Sequence, residues 1–231
     1  MIANMNNQFI NRENCTSFLL NFLAVVLGIV ITFGGESLIS HKEEKRNLNN
    51  CLELVAIELQ NNAEYLHGCD SLMQKEIEAA SFLIRHERDY YTAPEDSLRM
   101  YCNVPLTLGE AAISGDAFEL LKSSGVLTKI RDKKVALDIF STYNELQEAA
   151  DFLNLFYEHK VKYLEPAMND KVKNLLAGDN VTAAGLWSEL SASDEGRQFI
   201  REIIRFLAVY DPSGLYADVD GTIDEIAEYI R

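Results

Sequence analysis

The stretch FLLNFLAVVLGIVITFGGESLIS, Phe18 to Ser40, decides how this chain is built. Phe18 to Phe33 carries no charged side chain, and Asn21 is its one strongly polar residue. Sixteen helical residues cover roughly 24 Å, and Ser17 to Ile39 covers about 34 Å, enough for the ~30 Å hydrocarbon layer of a bilayer. A cleaved secretory signal needs basic residues ahead of the apolar run and a small-x-small site behind it. The leader MIANMNNQFINRENCTS instead sets one Arg beside one Glu, and FGGES leads straight into a charged helix. The segment therefore reads as a retained transmembrane helix over 17–39, following a polar tail over 1–16 and preceding a domain over 40–231. A cleaved signal and a buried core helix are the competing readings.

Polar and small residues are not scattered along this helix. At 100° per residue, Ser17, Asn21, Ala24, Gly28, Thr32 and Gly35 fall within about an 80° arc, away from Leu19, Phe22, Leu23, Val26, Ile29, Val30 and Phe33. Small residues let two helix backbones approach closely in lipid, and an Asn or Thr on the stripe adds an interhelical hydrogen bond worth about 0.6–2 kcal/mol. The stripe is the candidate packing face of the span, for a second copy of the chain or another membrane protein. Small residues are common in spans, so chance alignment is the competing reading. Glu36 lies past the stripe, near headgroup level, as an interfacial residue rather than a proton relay.

The chain has 36 acidic and 21 basic residues, a net charge of −15. Residues 1–40 hold only Arg12, Glu13 and Glu36, so nearly all of that charge belongs to the remainder. Phosphate backbones are held by clustered Lys and Arg, which excludes nucleic acid as a partner and disfavours docking of the domain on anionic lipid. Composition is that of a folded protein, 48% hydrophobic and 25% charged. Cys15, Cys51, Cys69 and Cys102 show neither CxxC spacing nor an even count after the apolar run, and read as unpaired thiols. Lys42, Lys45 and Arg46 follow the span closely and only Arg12 precedes it, which favours a cytoplasmic domain. A long domain can also translocate regardless of flanking charge, so both orientations stay open.

Beyond the span, Leu48, Leu52, Val55, Leu59, Asn62 and Leu66 repeat at heptad-like spacing, so one helix is expected from about Ser17 to Leu66. His67-Gly68 is expected to break it, and a second helix uses Met73, Ile77, Ala80 and Ile84. YYTAPEDSLRMYCNVP reads as a loop with one helical turn. Thr107-x-x-Glu110 and Asp116-x-x-Glu119 resemble capping boxes, and Gly125 suits a helix C-cap. A long helix from about Thr128 to Leu164 carries Ala136, Phe140, Tyr143, Leu146, Ala150, Leu153, Tyr157 and Leu164, with Pro166 as its stop. Further helices are expected over 168–176, 183–190 and 195–210, then a DPSG turn and a last helix capped by Thr222. The fold class is all-α: a transmembrane helix continuing into a helical bundle of four-helix type with short accessory helices.

Sites for chemistry fail on spacing. Glu64-x-x-His67 is half of a di-iron pattern, but no other histidine has a Glu three positions before it. Asp218, Asp220 and Gly221 resemble part of a calcium loop, yet Tyr216 and Ala227 stand where Asp and Glu are needed. Trp187 and the stripe tyrosines read as core. No nucleophile elbow, zinc-protease helix, phosphate-binding loop or dinucleotide fingerprint occurs. The chain is thus read as having no catalytic, cofactor or metal residues, and as not an enzyme.

Two stretches, LAVVLGIVITF followed by a charged helix ending in ELQNNAEYL, and AFELLKSSGVLTKIRDKKVALDIFSTYNEL, resemble an uncharacterised family of bacterial single-span membrane proteins. Its members pair an apolar helix with a charged one and carry an aromatic-x-x-L-K-S-S-G-x-L turn between helices. This chain departs from them in lacking a strongly basic N-terminal tail. The resemblance implies residence in the bacterial inner membrane and supplies no activity or functional residue. The functional expectation is a membrane-anchored interaction, scaffold or sensing module that self-associates through its span. The alternative is a membrane-perturbing effector whose assembled spans act on the bilayer.

Overall fold

The computed structural model describes the backbone of residues 12–178 and 181–231, and the side chains of 42–178 and 181–231. Among the described residues there is no strand. The α-helices are α1 (Arg12–Arg85), α2 (Glu95–Tyr101), α3 (Asp116–Ser123), α4 (Lys133–Ala167), α5 (Asp170–Leu176), α6 (Ala183–Leu190), α7 (Asp194–Leu207) and α8 (Ser213–Ile230). Short 3₁₀ turns fall at Tyr90–Thr92, Val104–Leu106 and Val126–Lys129. The chain is an all-α helical bundle, and it divides into two compact units, residues 1–50 and 51–231.

Residues 17–39 lie on the helical backbone of α1, but their side chains are outside the described residues. Among the described residues no helix is long and apolar enough to cross a membrane, so the transmembrane reading of 17–39 gains no support from the structure.

From residue 51 onward α1 behaves as the heptad pattern requires: Leu52, Val55, Leu59 and Leu66 are fully buried and Asn62 nearly so. The expected break at His67-Gly68 does not occur, because the inward stripe continues across it through Cys69, Met73, Glu76, Ala80 and Leu83, all buried. A glycine inside a helix costs about 1 kcal/mol relative to alanine. Burying Met73 and Leu83 returns about 1.5–3 kcal/mol each, so the helix runs on.

Several other boundaries shift for local reasons. The segment after α1 forms α2 and two 3₁₀ turns rather than a single helical turn. α4 starts at Lys133, where the Asp132 carboxylate accepts the Lys134 N–H at 2.9 Å, and Pro166 sits inside its last turn. A proline there removes a single bond near a helix end, so the stop comes at Met168, whose N–H reaches the carbonyls of Leu164 and Glu165. α8 begins at Ser213 within the expected turn. Thr222 is therefore no cap: it lies buried in mid-helix with its hydroxyl 2.7 Å from that of Thr142. Gly125 does follow α3 in the left-handed conformation, φ 70°. Gly196 is required by a close approach, since a Cβ would lie 1.9 Å from the Leu190 carbonyl oxygen.

α4 packs against both α7 and α8. Phe152 stacks on Tyr210 with centroids 4.6 Å apart, and Phe206 meets the rings of Phe152, Phe156 and His159. Trp187 is fully buried, as expected of a core residue, with its indole N–H donating to the Cys102 carbonyl at 3.0 Å. Cys51, Cys69 and Cys102 are free thiols.

Gly68 is exposed, its φ is not positive, and a Cβ there meets nothing within 4 Å. Gly68→Ala should therefore stabilise the domain by about 0.5–1 kcal/mol, read as a raised midpoint in urea unfolding with an unchanged slope.

Candidate functional site

The span residues singled out from the sequence, Ser17, Asn21, Ala24, Gly28, Thr32 and Gly35, all belong to α1, and their side chains lie outside the described residues. The described unit brings together two other arrangements, a clamped strap and an open cleft.

The strap is the irregular segment 107–115 between the second 3₁₀ turn and α3. Its backbone cannot satisfy itself, and side chains of α1 and α4 do so instead. The Asn62 amide donates to the Ser114 carbonyl at 2.7 Å and accepts the Ser114 N–H at 2.9 Å. Asn154 does the same at Ala111, at 2.8 and 2.7 Å. Tyr65 donates its hydroxyl to the Glu110 carbonyl, and Lys160 donates to that of Thr107 at 2.6 Å. Gly109 lies close against the Tyr157 ring, where a Cβ would sit 3.0 Å from the nearest ring carbon.

Glu58 anchors the end of the strap. Its carboxylate accepts the Tyr143 hydroxyl at 2.5 Å, the Ser114 hydroxyl at 2.7 Å, and the Ala117 and Phe118 N–H groups at 2.9 and 3.3 Å. The last two are opening N–H groups of α3, so Glu58 does the work expected of an Asp116-x-x-Glu119 box. That box does not form, because Asp116 is already helical and Gly115 holds the cap position. Thr107-x-x-Glu110 opens no helix: Thr107 closes the second 3₁₀ turn and the rest lies within the strap. Burial pushes the Glu58 carboxyl up, but the Tyr143 hydroxyl, the Ala117 N–H, the Ser114 hydroxyl and the Phe118 N–H together outweigh it and hold the group low.

Beneath the strap, Lys160 and Glu76 form a buried ion pair at 2.6 Å. Burial pushes Glu76 up and Lys160 down, and in each case the partner's opposite charge opposes it. The second Glu76 oxygen has no hydrogen-bond partner among the described residues. Neither this pair nor Glu58 was singled out from the sequence.

The cleft, also missed, is a cavity of about 820 Å³ bordered by Tyr90–Asn103 on one side and by the end of α5 and the start of α6 on the other. Leu98, Leu186 and Tyr90 form a buried floor. At the rim, Arg99 pairs with Glu95 at 2.5 Å, with both side chains about three-quarters exposed. Thr182 caps α6 by accepting the Gly185 N–H at 3.1 Å, and the Leu186 N–H goes to the Thr182 carbonyl. The two earlier N–H groups, of Ala183 and Ala184, have no partner among the described residues, and both residues line the cavity.

The rejected motifs have ordinary surroundings. Glu64 accepts the Gln60 amide at 2.9 Å, and the His67 ring packs on Tyr216. Asp218 and Asp220 are exposed on α8. Among the described residues no group of three or more His, Cys, Asp or Glu is placed to hold a metal ion. No protein-family model, curated protein or solved structure matches this chain.

Two predictions follow from the strap. Because the Glu58 carboxyl is held low, its contribution is complete above the ordinary value of 4.5 and is lost as pH falls through the lowered folded value. Glu58→Gln should cost about 2–3 kcal/mol at neutral pH and flatten the loss of stability on acidification, measured by urea unfolding across pH. Lys160→Met strands the buried Glu76 and should cost about 3–5 kcal/mol, whereas the double variant Lys160→Met, Glu76→Leu should recover most of that loss.

Proposed function

We propose that this chain is a membrane-anchored helical interaction or sensing module, held in the bacterial inner membrane by residues 17–39 and presenting the acidic bundle on one side. The observation that carries the reading is the uncharged run Phe18 to Phe33 in the sequence, which with its flanks is long enough as a helix to cross a bilayer. The resemblance to bacterial single-span proteins supports the same reading. Self-association through Ser17, Asn21, Ala24, Gly28, Thr32 and Gly35 belongs to it, because that stripe is the slim side of the helix.

In bacterial cells the full-length protein should remain in the membrane pellet after alkaline carbonate washing, and Gly28→Leu should reduce its cross-linked dimer population several-fold. Recovery in the soluble fraction, or a mature N-terminus beyond Ser37, overturns the anchor. An unchanged dimer population in Gly28→Leu overturns the packing face alone.

A further inference from the structure

We propose that the exposed side of α1 between Leu54 and Leu72 is a pairing face, and that its occupant is the same face of a second copy of the chain, parallel and in register. This rests on the anchored reading above, with two copies held in one membrane, and adds a contact beyond the span.

Over this stretch α1 has three faces, where a helix on the surface of a bundle needs two. One is buried in the bundle and runs through Leu52, Val55, Leu59, Leu66 and Met73. The exposed positions from Glu53 to Gln74 divide into two further sets. Glu53, Gln60, Glu64, His67, Ser71 and Gln74 are all polar and form the water-facing side. Leu54, Ile57, Asn61, Tyr65, Gly68 and Leu72 carry no charge. At 100° per residue they fall within about an 80° arc that holds none of the polar set.

Leu54, Ile57, Tyr65 and Leu72 leave between 42% and 57% of their surface in water. Exposed apolar residues scattered singly are ordinary. Four aligned along about 27 Å of one helix, on a chain of net charge −15, mark a contact surface. The strip repeats at eleven residues, with Leu54, Ile57 and Asn61 answered by Tyr65, Gly68 and Leu72. That period is close to the helix's own, so the strip runs almost straight along one side.

Three features select a second copy as the occupant. Asn61 stands near the middle of the strip, and its amide offers both donors and an acceptor. Meeting its own counterpart satisfies both kinds of group and fixes a parallel register, whereas a hydrocarbon surface satisfies neither. Pairing the strip with itself also buries no charge, and Glu53 and Glu64 stay in water at its rim. A bilayer surface holds an amphipathic helix through Lys and Arg, and none of the exposed positions from Glu53 to Gln74 is either. Finally, two copies anchored in one membrane share its polarity, and the anchor keeps them at a local concentration where a strip this narrow is enough.

The test places single cysteines in the full-length protein in bacterial membranes, with Cys15, Cys51 and Cys102 replaced by serine and the buried Cys69 kept. A disulfide forms where two Cα atoms come within about 7 Å. On oxidation with copper phenanthroline, Asn61→Cys and Gly68→Cys should give about fivefold or more disulfide dimer than Gln60→Cys and Gln74→Cys. Ile57→Glu, at an exposed position, should lower the Asn61→Cys dimer several-fold without moving the urea midpoint. Raised salt should increase the dimer, because it screens the rim acids; a partner with a basic rim would be lost instead.

Equal yields from the two sets of cysteines, an adduct to a different protein, or a dimer indifferent to Ile57→Glu would each overturn the pairing face. Carbonate washing of the same membranes reads the anchor separately. Protein that pellets and gives equal yields overturns the pairing face alone, and protein that fails to pellet overturns the anchor and the membrane-held pair with it.

Discussion

The bundle depends on satisfying one stretch of irregular backbone. Residues 107–115 run across α1 and α4 without a ladder of their own; Ala111 is buried and the bonds at Ala111 and Ser114 are partly so, and a peptide group left unpaired in such a place costs up to about 1–3 kcal/mol. Asn62 and Asn154 each offer one donor and one acceptor in the geometry of a second peptide group, and Glu58 supplies four acceptor contacts at the point where the strap turns into α3. The polar residues on the inward faces of the long helices are therefore ties between elements far apart in sequence. They fix which surfaces of α1 and α4 can meet, a register that apolar packing alone leaves loose.

Much of this was legible in the amino-acid sequence, some of it unread. The stripe from Leu52 to Leu66 announced the inward face of α1, and its continuation through Cys69, Met73, Glu76, Ala80 and Leu83 outweighed the apparent stop at Gly68. The buried ion pair had a signal as well: Glu76 interrupts one core stripe, and Lys160 fills the gap between Tyr157 and Leu164 in another. Opposite charges on two core faces are expected to find each other. Glu58 was harder to see. Its partners, Ser114, Ala117, Phe118 and Tyr143, are 56 to 85 positions away, and the local sequence offered a plausible cap of its own in Asp116.

The cleft had no sequence signature, because its walls come from segments some 80 residues apart and its donors include two backbone groups. Of its walls, α6 was expected over 183–190 and is found at Ala183–Leu190. The apolar run at 18–33 presents the reverse case. It is among the clearest local signals in the chain, yet the described side chains begin beyond it.

The strap is an integral part of the bundle, and native-state hydrogen exchange tests that directly. The amides of Ala111, Ser114, Ala117 and Phe118 should exchange as slowly as those in the buried centre of α4, opening only with global unfolding. Exchange of these four amides within the range of exposed loops, while α4 stays protected, would contradict it.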